Sequence, residues 1–268
     1  MTSPTVDRLA FTTLGIPGAP LTEVAALAVR SGWRGVELRS ADDEPVHVGM
    51  DAEAVAAARE ALAGVTVLAT NSYVRSGSPD LDDDAVVAAA VAEAELAVAL
   101  GAPAVRVFPG AAADPGTAEH AEREQAMVRR LRAAADRLPD GVELWLETHD
   151  SHRTGADVAR VLAAVDHPRV RAIWDLAHPP KGGEAWTDTL DRLRPHLAHV
   201  QIKDERPGQV PLFLGDGDVP VAAIVRALEA DGYPGWYSLE YELKWHPEAP
   251  PLAEALAAGT TWWAAQGL

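Results

Sequence analysis

At 268 residues, with 48% hydrophobic and 24% charged residues, the chain has ordinary globular composition and length enough for one large core; its 20 Pro and 21 Gly are scattered as turn punctuation. A formal net charge of −17 with no opposing basic stripe excludes nucleic acid as an expected partner. The absence of cysteine excludes a disulfide framework, a thiolate metal site and a cysteine nucleophile, so any metal must be held by oxygen and nitrogen.

The opening MTSPTVDRLAFTTLG has no apolar secretion core, and a cytoplasmic protein is expected. The first strand expected is LAFTTLG (9–15), followed by a helix over 21–31 with Thr22 as its capping residue. RGVELR (34–39) precedes a helix over 51–63 opened by Asp51, and VTVLAT (65–70) precedes one over 82–100. In that third helix the apolar run is broken by Glu93 and Glu95 at helical spacing, which predicts a water-soluble amphipathic helix rather than a membrane span. AVRVFP (104–109) leads to a helix over 117–138, and VELWLE (142–147) to one over 154–164 opened by Thr154. VRAIWD (170–175), LAHVQI (197–202) and WYSLE (236–240) complete the strands, with helices over 185–194, 220–231 and 252–265. Eight strand and helix pairs without a linker-like change of composition predict one (β/α)₈ TIM barrel spanning 1–268 as a single domain; a flat sheet with eight crossovers is the structural alternative.

In such a barrel the chemistry sits at the carboxyl ends of the strands. The fifth strand ends in Glu147, with His149, Asp150 and His152 just beyond; the sixth ends in Asp175, with His178 three residues on. The seventh carries His199 and Gln201 on one face, and the eighth ends in Glu240. Three carboxylates on one rim would repel one another unless a cation neutralised them. Glu147, Asp175, Gln201 and Glu240 are therefore the expected ligands of a divalent ion, Mn²⁺ or Mg²⁺ by the hardness of the donors, with Co²⁺ or Zn²⁺ allowed by nearby imidazoles. His199 lies one pleat deeper and is expected in the core, whereas the D-x-x-H spacing makes His178 the better contact for a substrate oxygen.

At these residues the chain resembles the xylose-isomerase-like family of sugar-phosphate isomerases and epimerases. The segments that carry the resemblance are GWRGVEL (32–38), LGAPAVRVFPG (100–110), LETHD (146–150), WDLAH (174–178), HVQIKD (199–204), LGDGDVP (214–220) and SLEYE (238–242), over essentially the whole chain. The resemblance, to ketose 3-epimerases and hydroxypyruvate isomerase in particular, implies a metal-dependent TIM barrel whose ion is held at Glu147, Asp175, Gln201 and Glu240. Gln201 stands where many members have His. The resemblance implies Glu147 and Glu240 as the paired catalytic carboxylates, moving a proton next to a carbonyl through a metal-stabilised enediolate. His178, His149, Arg106 and Arg206 are the expected substrate contacts, with His47 and Tyr73 as further loop contacts, while Lys203 is expected to be packed or paired with Asp204 outside the barrel wall. The substrate expected is a sugar or small hydroxy-carbonyl compound, and a homo-oligomer is allowed. Metal-dependent elimination from a keto-sugar or keto-cyclitol is the alternative activity, and a catalytically silent barrel serving as a subunit or binder is the non-enzyme alternative. An endonuclease reading, suggested by nucleases that share the barrel, meets the charge of −17.

Overall fold

The computed structural model describes residues 5–268, excluding the side chains of Gln209 and Val210. The strands are β1 (Leu9–Thr12), β2 (Gly35–Arg39), β3 (Thr66–Arg75), β4 (Ala104–Phe108), β5 (Glu143–Glu147), β6 (Val170–Asp175), β7 (Leu197–Ile202), β8 (Asp204–Arg206), β9 (Gln209–Leu212) and β10 (Tyr237–Leu239). Eight of them form a closed parallel barrel in the order β1-β10-β7-β6-β5-β4-β3-β2, and β8 with β9 makes a separate two-stranded sheet. The flat-sheet alternative is thereby removed.

The helices are α1 (Leu21–Ser31), α2 (Ala52–Ala61), α3 (Asp83–Leu100), α4 (Ala118–Ala135), α5 (Gly155–Val165), α6 (His178–Lys181), α7 (Trp186–Leu193), α8 (Val221–Ala230) and α9 (Leu252–Gln266). Side-chain caps start several of them: Asp51, Asp82, Thr117 and Thr154 each accept an N–H from the first turn. Thr22 does not cap; α1 begins one residue earlier, behind Pro20. Gly32 and Gly101 end α1 and α3 at φ 78° and 79°, a conformation open to glycine at little cost. Glu93 is buried in α3 alongside Val86, Ala90 and Ala97, whereas Glu95 is exposed, so only one of the two glutamates faces solvent. No helix of the described residues is long and apolar enough to cross a membrane.

The chain divides into two compact units, residues 69–199 and residues 1–68 with 200–268. In the first, β4, β5 and β6 pair in register, and the bulk of Trp145 packs among Ala69, Ala104, Ile173 and Ala198. Small neighbours make room for the one large ring. In the second, β1 pairs with β2 and β10, and β10 with β7, through Ser238↔Gln201 and Leu239↔Ile202. The buried carboxylate of Asp204 organises the segment after β7, accepting N–H groups from Glu205, Gly215, Gly217 and Val219 at 2.8–3.1 Å. A Cβ on Gly217 would sit 2.0 Å from Asp204 Oδ1, so the loop closes this tightly only with glycine there.

Asp204→Ala strands these donors in a buried setting and is expected to lower stability by about 3 kcal/mol in urea denaturation. A change below about 0.5 kcal/mol would show that water replaces the carboxylate.

Candidate active site

In the unit of residues 69–199, β5 and β6 end in carboxylates without exposed surface, Glu147 and Asp175. Arg106 of β4 donates from Nη1 to Glu147 Oε2 at 2.8 Å, with both side chains buried. The Arg106 guanidinium lies 3.8 Å from the Phe108 ring centroid, a cation–π contact that fixes its orientation. Thr148 ties the two strand ends together: its Oγ1 accepts from the Asp175 N–H at 3.0 Å, and its own N–H reaches Ile173 O at 3.1 Å. Asp175 Oδ1 accepts from the Ala177 N–H at 2.8 Å, while Oδ2 lies 3.4 Å from His178 Nε2.

His149 stands among these groups, its ring 4.3 Å from Phe108 and 4.6 Å from His178. One ligand atom from each of Glu147, His149 and His178 lies within 4.8 Å of the others. Burial alone disfavours the His149 cation, but the Asp150 carboxylate and the Glu147 charge outweigh it and raise its pKa.

In the other unit, Gln201 is fully buried on β7 and donates from Nε2 to Glu37 Oε2 at 3.0 Å. A carboxylate can only accept, so Glu37 fixes which end of the amide faces it. The Gln201 carbonyl oxygen is left buried with no donor among the described residues. Glu240 follows β10 and continues its ladder with β7 by donating its N–H to Ile202 O at 3.0 Å. Its Oε2 lies 2.6 Å from Lys203 Nζ, which also donates to Glu242 Oε1 at 2.7 Å. Lys203 is 5% exposed, which corrects the expectation that it lies outside the wall paired with Asp204.

Of the expected substrate contacts, His178, His149 and Arg106 gather around Glu147 and Asp175, Arg106 having a protein carboxylate as partner. Arg206 is half-exposed on β8 and paired with Asp218 at 3.2 Å. Tyr73 belongs to β3, which runs on past the expected end of the strand. His199 is buried and stacks on Trp145 at 5.2 Å, the core position expected of it. Glu37 was not singled out, although a charged residue inside the otherwise apolar GVEL run was the available signal.

A cleft of about 870 Å³ opens over the loops that follow β3 to β6, lined by Arg75, Gly110, Asp150, Ser151, Arg153 and Lys181 among others. Glu147, Asp175 and His178 do not line it.

A family model described as xylose isomerase-like TIM barrel matches residues 25–265. A candidate hydroxypyruvate isomerase of Streptomyces coelicolor is 30% identical over 102 residues, 38% of this chain and 34% of that protein. An inosose dehydratase of Lacticaseibacillus casei is 26% identical over 154 residues, 48% of this chain and 51% of that protein. The matches thus span from a third to a half of these curated relatives. Among solved structures, 3-keto-D-glucoside 4-epimerase from E. coli superposes with a TM-score of 0.75 at 17% identity, covering 96% of this chain and 99% of that one. A TIM barrel protein from Mycobacterium smegmatis in complex with magnesium gives 0.70 at 17% identity, covering 97% and 99%. At such identities the structural likeness is one of fold.

Arg106→Met removes the guanidinium from a buried carboxylate and is expected to cost about 3 kcal/mol in urea denaturation of metal-free protein. If Glu147 is also a metal ligand, Mn²⁺ should recover part of that loss; equal stability of the variant and the parent would mean the pair contributes nothing.

Proposed function

Because the chain belongs to the xylose isomerase-like TIM barrel family, we propose that it is a divalent-metal-dependent isomerase or epimerase of a sugar or small hydroxy-carbonyl compound. Its relatives and structural neighbours carry the names of enzymes: an isomerase, an epimerase and a dehydratase. The observation that carries the proposal is the Gln201 carbonyl oxygen, buried without a donor among the described residues while Glu37 holds the amide nitrogen. A bound cation would satisfy such an oxygen, as a hydrogen-bond donor would. Glu147, Asp175, Gln201 and Glu240 would hold it, and three carboxylates with one amide oxygen suit Mn²⁺ or Mg²⁺. When bound, the ion supplies a Lewis acid that stabilises negative charge developing on the substrate's carbonyl oxygen.

In this reading Glu147 takes a proton from the carbon next to the carbonyl, and Glu240 returns one to complete the rearrangement. Arg106 donates to Glu147 Oε2, and Lys203 Nζ lies 2.6 Å from Glu240 Oε2, so each carboxylate is held in a fixed orientation. Neither contact adds negative charge to the site. His178, 3.4 Å from Asp175, orients a substrate hydroxyl, and His149 beside it contacts the same substrate. A cysteine-free chain of this kind belongs in the cytoplasm.

Elimination is the second reading, favoured by the match to inosose dehydratase over 48% of the chain and by Lys203, a buried proton donor beside Glu240. Proton abstraction would then be followed by loss of a hydroxyl as water. The two are separated by mass spectrometry of reactions in D₂O: rearrangement leaves the elemental formula unchanged apart from deuterium, whereas elimination removes one water.

Glu147→Gln and Glu240→Gln should each lower turnover by about 100-fold or more while the fold is retained, measured as solvent deuterium incorporated into a panel of ketoses with Mn²⁺. Near-native exchange in both variants would remove these residues from the acid and base roles. Gln201→His should shift preference towards Zn²⁺ and Co²⁺ over Mg²⁺ by at least about tenfold in competition titrations, since imidazole is the softer donor. An unchanged order of affinities would mean that residue 201 does not touch the ion.

A further inference from the structure

His152, His120 and Glu124 play no part in the chemistry above. His152 follows β5 and has no exposed surface; His120 and Glu124 lie one turn apart on α4. One ligand atom from each of the three falls within 4.8 Å of the others. The two imidazoles stack at 4.8 Å, and His152 Nε2 is 3.1 Å from Glu124 Oε2. Two ligands of a tetrahedral zinc ion, at about 2.0–2.1 Å each, stand roughly 3.3 Å apart, close to that separation.

Proton accounting gives the cluster its direction. His120 Nδ1 faces the Ala113 carbonyl at 3.3 Å, so the proton sits on Nδ1 and the lone pair on Nε2. Ser151 Oγ accepts from the Ala111 N–H at 3.0 Å and gives its one hydrogen to the Asp150 carboxylate at 3.0 Å, a charged and therefore stronger acceptor. His152 Nδ1, 3.0 Å from the same oxygen, must then be the donor to it. That leaves the Nε2 lone pair of His152 aimed at a carboxylate oxygen, two acceptors at 3.1 Å. A cation between them, a proton or a metal ion, satisfies both. The Arg160 guanidinium reaches both Glu124 oxygens from the solvent side, at 2.7 Å on Oε2 and 3.1 Å on Oε1. It can keep Oε1 when Oε2 turns to a metal.

We propose that His120, Glu124 and His152 form a second metal site that takes a borderline transition-metal ion, Zn²⁺ foremost, and clips the turn after β5 onto α4. Two imidazole nitrogens and one carboxylate oxygen are the donor set of many zinc sites, with water as the fourth ligand. Hydrogen bonds on both Nδ1 atoms provide the outer support that metal-bound histidines need. The turn so clipped carries His149 and Asp150, which links the clip to the rim of the proposed reaction centre.

The test is the stoichiometry of Zn²⁺ and Co²⁺ bound by the full chain, by calorimetry and by the Co²⁺ visible spectrum, whose tetrahedral bands are far stronger than those of an oxygen-rich octahedral site. The parent is expected to bind two ions, His120→Gln and His152→Gln one each with the tetrahedral bands lost, and Asp175→Asn one with the bands kept. Circular dichroism checks that each variant is folded, and the parent spectrum stands as evidence even if one is not. A parent without tetrahedral Co²⁺, or folded histidine variants that still bind two ions, would overturn the proposal. One ion in the parent, retained with its bands in Asp175→Asn, supports the clip and counts instead against the strand-end centre.

Discussion

Burying negative charge inside a barrel is the constraint on which the rest of the structure depends. Moving a carboxylate out of water costs several kcal/mol even after relaxation, and Glu37, Glu147 and Asp175 are all fully buried. Each is met by a specific donor: Glu147 by the Arg106 guanidinium, Glu37 by the Gln201 amide and Asp175 by the Ala177 N–H. Glu240, barely more exposed, is met by Lys203. Removing one of these donors weakens the solvation of a buried charge. The cost of holding the charges is a reason to read them as chemistry rather than packing, since apolar side chains would fill the same strand ends more stably.

The scaffold around them serves position. Thr148 ties the ends of β5 and β6 to each other, and the Asp204 carboxylate gathers four backbone donors so that the segment after β7 closes on itself. Glu184 accepts from the Gly155 and Ala156 N–H groups at 2.6 and 3.0 Å, which pins the start of α5 and the turn before it. Binding groups are thus held by polar contacts to rigid elements, and the loops are left to shape the approach.

The barrel was legible in the sequence because its period is strong: eight β-rich runs, each followed by an Ala-rich helical pattern, recur without a break. What escaped is what local pattern cannot carry. The continuation of β3 to Arg75 and the β8 and β9 pair depend on partners distant in sequence or on backbone bonds around Asp204. The strand-end residues Glu147, Asp175, Gln201 and Glu240 could be picked out because a polar side chain closing an apolar strand contradicts its surroundings. Their partners could not be. Lys203 stands two residues after Gln201, where the strand period returns it to the same face, and it meets Glu240 and Glu242 across the barrel end; the Glu37 partner of Gln201 lies 164 positions away. His120 and Glu124 are an ordinary helix face until the fold brings His152 against them.

The central claim is that Gln201, held by Glu37 through its nitrogen, offers its oxygen to a divalent ion shared with Glu147, Asp175 and Glu240. Diffraction from crystals grown with Mn²⁺, recorded at the manganese absorption edge, tests it most directly. The account predicts an anomalous peak at about 2.0–2.3 Å from Gln201 Oε1, with the amide nitrogen still on Glu37. An ion bound without Gln201, or an amide turned to present its nitrogen, would contradict it.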